Sequence, residues 1–237
     1  MTVLVETKDG VATITLNRPE SRNALNLAMC EDLRAAAQGL DAPVKLVFVR
    51  AAGPVFCAGA DLKERQGMSA AQVRERRMQA FAAYAAIEAL PMPAIAVVEG
   101  PAVGSGCEIA AACDFIVATP AASFRIPEAL RGTVGATQRL PRILGKRLAK
   151  DLMFTGRALA AEEAERHGLV SRVVAPEQLE TVLAEIARTI VEAPAGALKL
   201  AKRVIERGVE QDPRGALATE LAAIEEQLAA GDWMGRR

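Results

Sequence analysis

Two glutamates stand in surroundings suited to proton transfer. Glu108 closes the run Gly104-Ser105-Gly106-Cys107-Glu108, and Glu128 closes Phe124-Arg125-Ile126-Pro127-Glu128 among apolar neighbours. Two carboxylates in one apolar cleft tune each other's proton affinity, so that one serves as base and the other as acid. Each also has a plainer reading: Glu108 as a favourable carboxylate in the first turn of a helix, Glu128 as a helix-start carboxylate. Nothing in the spacing alone brings the two together.

Two segments of small residues could supply the other half of such a site. They are Cys57-Ala58-Gly59-Ala60-Asp61 and Val103-Gly104-Ser105-Gly106-Cys107-Glu108. Small side chains let a ligand approach the backbone, and glycine permits turns that expose N–H groups. Two N–H groups converging on one point form an oxyanion hole. The second segment turns into a helix, whose N-terminal end favours developing negative charge. An ordinary tight connection is the competing reading for either segment.

Other chemistries fit less well. Gly104-Ser105-Gly106 is not the G-x-G-x-x-G dinucleotide fingerprint, and Ser105 is not in a G-x-S-x-G elbow. Cys57 lacks a thiol-protease motif, and the single histidine, His167, falls in a charged, surface-like turn. One histidine without clustered cysteines argues against a zinc site. Cys107 and Cys113 read as small buried hydrophobes, and no C-x-x-C pair points to a disulfide scaffold. Arg74, Arg76 and Arg77 read as a solvated helix face.

The elements that must position these residues follow from periodicity and punctuation. Val11 to Leu16 alternates as a strand, and Leu25, Met29, Leu33, Ala36 and Leu40 recur at helical spacing from Asn26. Strands are expected at 44–49, 94–98, 115–118 and 169–174. A helix over 70–90 starts at Ser69 as N-cap, with Val73, Phe81, Tyr84 and Ile87 on its inner face. A turn over 124–128 leads into a mainly helical stretch to Gly168. A helix through Leu179, Leu183, Ile186 and Ile190 follows, and a last one runs through Leu217, Leu221, Ile224 and Leu228. This order predicts an α/β core with parallel strands over 1–192 and a helical C-terminal region over 193–237.

Composition narrows the partners. Of 237 residues 51% are hydrophobic and 24% charged, enough apolar material for a core and too much for a disordered chain. Twenty-nine basic residues balance 29 acidic ones, which argues against a nucleic-acid-coating protein while allowing a local basic pocket. No apolar run reaches about 18 residues, the length expected of a membrane span, and no signal-peptide pattern opens the chain. The default expectation is a cytoplasmic protein with no membrane partner.

Taken in order, Asn23-Ala24-Leu25-Asn26, Phe56-Cys57-Ala58-Gly59-Ala60-Asp61-Leu62-Lys63, Gly104-Ser105-Gly106-Cys107-Glu108, Pro127-Glu128, Thr137-Gln138-Arg139-Leu140, Gly156 and Gly168-Leu169-Val170 resemble the enoyl-CoA hydratase/isomerase (crotonase) family. The resemblance covers roughly residues 3–215. It implies a spiral of β-β-α turns with a helical C-terminal region, assembled as a homotrimer or a dimer of trimers. It implies that the backbone N–H groups of Ala60 and Ser105 hold a thioester oxygen, and that Glu108 and Glu128 hydrate a 2-trans-enoyl-CoA to a 3-hydroxyacyl-CoA. Arg22, Ala24, Ala58, Asp61, Leu62 and Lys63 correspond to the region that receives coenzyme A, which enters as part of the substrate. No metal or redox cofactor is implied. Two departures stand out: the stretch between Glu128 and Thr137 is shorter than is common in the family, and the helical C-terminal region is shortened. Alternatives are a Δ3,Δ2-enoyl-CoA isomerase and a non-catalytic crotonase-like protein that binds CoA esters.

Overall fold

The structure is a computed structural model and describes residues 1–40 and 43–231. The chain opens with a hairpin of β1 (Val3–Lys8) and β2 (Val11–Leu16), paired antiparallel from Val3 opposite Leu16 to Lys8 opposite Val11. Its two-residue turn, Asp9-Gly10, holds φ of 50° and 81°, the left-handed pair that suits the twist of a tight hairpin. Then follow α1 (Leu27–Gln38), β3 (Leu46–Ala51), α2 (Ala70–Glu88), β4 (Ala94–Val98), β5 (Pro101–Val103), α3 (Ser105–Ala111), β6 (Phe115–Ala118) and β7 (Ser123–Arg125). The chain continues through α4 (Arg139–Thr155), β8 (Ala158–Ala160), α5 (Ala161–Arg166), β9 (Arg172–Val173), α6 (Leu179–Glu192), α7 (Ala195–Gly208) and α8 (Pro213–Ala230).

The strands build two sheets. One runs β1-β2-β3-β4-β6-β9 and is parallel from β2 onward; the other runs β5-β7-β8. Consecutive strands feed different sheets: β4 lies in the first and β5 in the second, as β6 and β7 do in the next turn. Each β-β-α turn therefore adds one strand to each sheet, which is the expected spiral.

Side-chain alternation places the core. In β3 and β4, Val47, Val49, Ala94, Ala96 and Val98 join the main cluster with Leu33 of α1 and Tyr84 and Ile87 of α2. Their neighbours Leu46, Phe48, Ile95 and Val97 face the other way, against Leu179, Leu183 and Ile186 of α6. With helices on both faces, the central strands are apolar on both sides, as parallel sheets require.

The caps explain where the site helices begin. The Asn26 side chain accepts the Met29 N–H at 3.0 Å at the head of α1. At α2, Ser69 accepts the Gln72 N–H and Gln72 accepts the Ser69 N–H, at 3.3 and 2.9 Å, a reciprocal capping box.

The expected elements shift in places. β3 starts at Leu46 rather than at 44, and only Arg172–Val173 of the expected 169–174 strand pairs with β6. The expected turn over 124–128 begins inside a strand, β7, and a short strand, β8, interrupts the expected helical stretch after it. Phe81 does not join the inner face of α2; it is exposed.

Candidate active site

The loop 57–61 is stitched down from both sides. Ala58 N–H donates to Arg22 O at 3.0 Å, Leu25 N–H to Gly59 O at 2.8 Å and Asp61 N–H to Leu25 O at 2.9 Å. On the other flank, Val103 N–H donates to Cys57 O at 2.8 Å. Leu25 and Ala60 thus form a parallel bridge in which the flanking residues of Ala60 make the bonds, so the Ala60 N–H points away from Leu25. Ala60 lines a cavity together with Gly104, Ser105, Glu108 and Glu128.

The head of α3 forms the facing wall. Gly104 N–H donates to Arg125 O at 2.9 Å, tying this turn to β7. Gly106 packs directly on the loop, where a Cβ would lie 2.6 Å from Cys57 O. Only glycine allows α3 to start this close to the loop. Ser105 is half-buried, with the phenol of Tyr84 beside its hydroxyl.

The two carboxylates meet in this cavity under different conditions. Glu108 is 5% exposed, and burial pushes its carboxyl above the ordinary range, opposed by Arg139, whose Nη1 donates to Oε2 at 2.8 Å. Glu128 is also pushed up by burial, and its Oε2 is buried without a hydrogen-bond partner. A carboxylate without a partner in an apolar wall favours its neutral form. The arrangement offers a buried acid, a charge-paired carboxylate and small-residue backbone in one place.

The central cavity is small, about 80 Å³, and shares lining residues with two larger ones. One, of about 660 Å³, shares Ala60, Gly104 and Glu128 and is lined further by Ala58, Leu62, Arg65, Met68 and Arg131. The other, of about 510 Å³, shares Arg77, Phe81 and Glu108 and extends to Thr137, Arg139 and Arg142. Both larger spaces fall in the size range of small-molecule sites, roughly 300–1,000 Å³.

Of the residues expected to receive coenzyme A, Ala58 and Leu62 line the larger cavity. Arg22 and Lys63 are exposed and do not line it, and Ala24 is half-buried with its carbonyl accepting Arg18. The Asp61 carboxylate is committed within the chain: Oδ1 accepts the N–H groups of Lys63 and Glu64 at 3.1 and 3.3 Å, and Oδ2 pairs with Arg18 at 3.1 Å. Asp61 thus shapes the loop through its own hydrogen bonds.

The arginines of α2 correct the expectation of a solvated face. Arg76 is 3% exposed, paired with Glu64 at 2.6 Å and bonded to Leu25 O. Arg77 is half-buried and bonds Thr133 Oγ1, reaching over the cavity to the segment after Glu128. Only Arg74 is exposed as read. Arg65, Arg77, Arg131 and Arg139 all line the cavities and were not singled out for the site; nothing in their local pattern separates them from surface arginines. Cys57 is fully buried, and burial pushes its thiol up to about 12; His167 is exposed. Among the described residues, no group of three or more His, Cys, Asp or Glu could hold a metal ion. No helix among them is long and apolar enough to cross a membrane.

Residues 6–232 match the family described as enoyl-CoA hydratase/isomerase. A Bacillus subtilis protein named as an enoyl-CoA hydratase/isomerase is 40% identical over 228 residues, covering 94% of this chain and 88% of that one. The crystal structure of an enoyl-CoA hydratase from Bacillus anthracis superposes with a TM-score of 0.91 at 38% identity, over 95% of this chain and 90% of the other. A Thermobifida fusca structure described as an enoyl-CoA hydratase in complex with acetoacetyl-CoA gives a TM-score of 0.89 at 26% identity, over 97% and 95%. The chain belongs to the enoyl-CoA hydratase/isomerase family and has its crotonase fold. Its class of enzyme is that of the enoyl-CoA hydratases.

Proposed function

We propose that this enzyme adds water across the double bond of a 2-trans-enoyl-CoA to give a 3-hydroxyacyl-CoA. The observation that carries the reading is the convergence of Glu108 and Glu128 on one cavity with Ala60, Gly104 and Ser105. The thioester oxygen lies between the Ala60 and Ser105 N–H groups, and the acyl chain extends past the two carboxylates. Glu108, charge-paired with Arg139, takes a proton from water as its oxygen attacks C3. The electrons of the C2–C3 double bond move onto the thioester oxygen as an enolate, which the two N–H groups stabilise; such donors are worth about 2.7–4 kcal/mol each. Glu128, whose neutral form burial favours, delivers a proton to C2 as the thioester carbonyl reforms. The net change is one water added, and a proton passing from Glu108 to Glu128 resets the pair.

The coenzyme A portion lies in the larger cavity, along Ala58 and Leu62 with Arg65 and Arg131 available to its phosphates. Arg22, Ala24, Asp61 and Lys63 form the rim of that route, with Asp61 acting through the loop it caps. This chemistry runs on proton transfer and backbone hydrogen bonding, and the reading calls for no separate cofactor. We also propose that the region from 193 onward serves assembly into a homotrimer or dimer of trimers in the cytoplasm. Ile205, Val209, Leu217, Leu221 and Leu228 on α7 and α8 are exposed apolar side chains, a surface of the kind buried between subunits.

The test is turnover of crotonyl-CoA, followed as loss of the conjugated enoyl thioester, beside a Glu108→Gln/Glu128→Gln double variant. Turnover by the parent and its loss in the variant support hydration through the pair. Folded parent protein that binds CoA esters without turnover sinks it. Migration of a 3-enoyl double bond without hydration would assign the site to isomerisation instead.

A further inference from the structure

The Arg139 guanidinium is divided between two carboxylates of unlike standing. Nη1 donates to Glu108 Oε2 at 2.8 Å, while Nη2 and Nε donate to the two oxygens of Glu88 at 2.6 and 3.2 Å. The Glu108 side chain is 6% exposed and faces the central cavity; Glu88 is 50% exposed at the outer end of α2. The guanidinium carbon also lies 5.9 Å from the centroid of the Tyr84 ring. A planar fork held at three points and against a ring has a defined orientation, which a lysine ammonium could not reproduce.

Local helix physics does not account for an arginine here. Arg139 is the first residue of α4, where the positive end of the helix dipole disfavours a cation. Its tertiary partners hold it there. The contact is also selective within Glu108, because Oε2 takes the guanidinium and Oε1 makes no hydrogen bond among the described residues.

We infer that Arg139 is a positioning residue: it pins Oε2 of Glu108, preserves the charge of that carboxylate and leaves Oε1 for the attacking water, with Glu88 as its anchor outside the cavity. The role assigned to water rests on the hydratase reading above; the hold on Glu108 rests on the geometry alone. Burial by itself favours the neutral form of Glu108, which cannot act as a base. Arg139 from α4 opposes burial, while Glu88 from α2 opposes Arg139. Arg76, Arg77 and Tyr84, also from α2, Arg65 from the segment before it and Glu128 from the segment after β7 are the other titratable and charged groups lining this cavity.

Two readouts separate the inference from the reading it rests on. In the first, the Glu108 carboxyl is titrated by carbon-13 NMR, its signal assigned by loss in Glu108→Gln. Arg139→Gln is expected to raise its midpoint by about 1 pH unit or more, and Arg139→Lys to restore most of that change. In the second, crotonyl-CoA turnover is measured against pH. The acid limb of kcat moves up in Arg139→Gln and kcat falls about 10-fold or more with KM nearly unchanged, the signature of an interaction made in the transition state. Arg139→Lys recovers the acid limb more fully than kcat, because it restores charge without the fork. A folded Arg139→Gln variant whose Glu108 midpoint matches the parent overturns the inference. A raised midpoint in a protein that never turns over crotonyl-CoA upholds the hold on Glu108 and overturns the hydratase reading. Should Arg139→Gln fail to fold, Glu88→Gln carries the test: removing the competing carboxylate lowers the Glu108 midpoint, and an unmoved midpoint overturns the shared arrangement.

Discussion

The Glu128 carboxylate occupies the space that a side chain at residue 104 would need: a Cβ built on Gly104 would lie 2.0 Å from Glu128 Oε1. Gly104 also holds φ at +50°, a conformation that side chains disfavour. Glycine is therefore required twice, by the backbone that opens α3 and by the acid lodged against it. Gly104→Ala is expected to displace Glu128 and lower kcat for crotonyl-CoA about 100-fold or more, the scale of losing a positioned acid or base. Parental kcat in this variant would show that Glu128 acts from elsewhere or not at all.

Glu128 should weaken the fold it serves. Its Oε2 is buried without a partner, and burial raises its carboxyl above the ordinary range. The folded state then holds its proton at a pH where the unfolded chain, near 4.3, has begun to lose it. Stability therefore falls as pH rises from the unfolded value through the folded one, and stays lowered above it. Glu128→Gln removes that loss, so it is expected to melt higher than the parent at pH 7 while losing roughly 100- to 10,000-fold in turnover. Thermal melts at pH 4 and pH 7 check the sign: the gain belongs to pH 7 and shrinks toward pH 4.

Hydration needs Glu108 ionised and Glu128 protonated, and burial raises both. The kcat/KM profile should be a bell whose acid limb lies above the ordinary glutamate value of about 4.3. Its two midpoints belong to the coupled pair. In Glu128→Gln the residual activity should keep the acid limb and lose the alkaline one. An alkaline limb that survives there would assign it to another group.

Ala136 holds φ at +55° while 95% buried in the segment between Glu128 and Arg139 (its exposure is 5%). A left-handed alanine stores strain on the order of 1–2 kcal/mol. Ala136→Gly relieves it, partly offset by the greater freedom of glycine in the unfolded chain. The midpoint of urea unfolding should rise slightly or hold. A loss of more than about 1 kcal/mol would show that the methyl group's packing outweighs the strain.

Buried Arg76 pairs with half-buried Glu64 at 2.6 Å, and the arginine also bonds Leu25 O beside the loop that carries Ala60. Removing one member of a fully buried pair costs about 3–5 kcal/mol; here Glu64 is partly exposed and still accepts the Leu27 N–H, so the low end of that range applies. Arg76→Ala is expected to lose about 3 kcal/mol in urea unfolding, and Arg76→Ala/Glu64→Ala less than the sum of the two single changes. Additive losses would mean that the two charges act separately.

Much of this protein was legible before folding because the signals are local. Ser69 and Gln72 cap a helix by chemistry contained in four positions, and Gly104 to Glu108 announces a turn into a helix through its own glycines. The periodicities of Val11–Leu16 and of Leu25, Met29 and Leu33 place strand and helix faces without reference to the rest of the chain. The short strands β5, β7 and β8 escaped because three residues carry no period; they exist through pairing with distant segments. The arginines show the same division more sharply. Arg74, Arg76 and Arg77 are adjacent and alike in sequence, yet one is exposed, one is buried on Glu64 and one bonds Thr133. Residue type determined that each carries a permanent charge and a planar fork. Which charge found a partner, and that Arg139 meets Glu108, was decided by the approach of α2, α3 and α4, since a buried charge is governed by neighbours brought in from other parts of the chain.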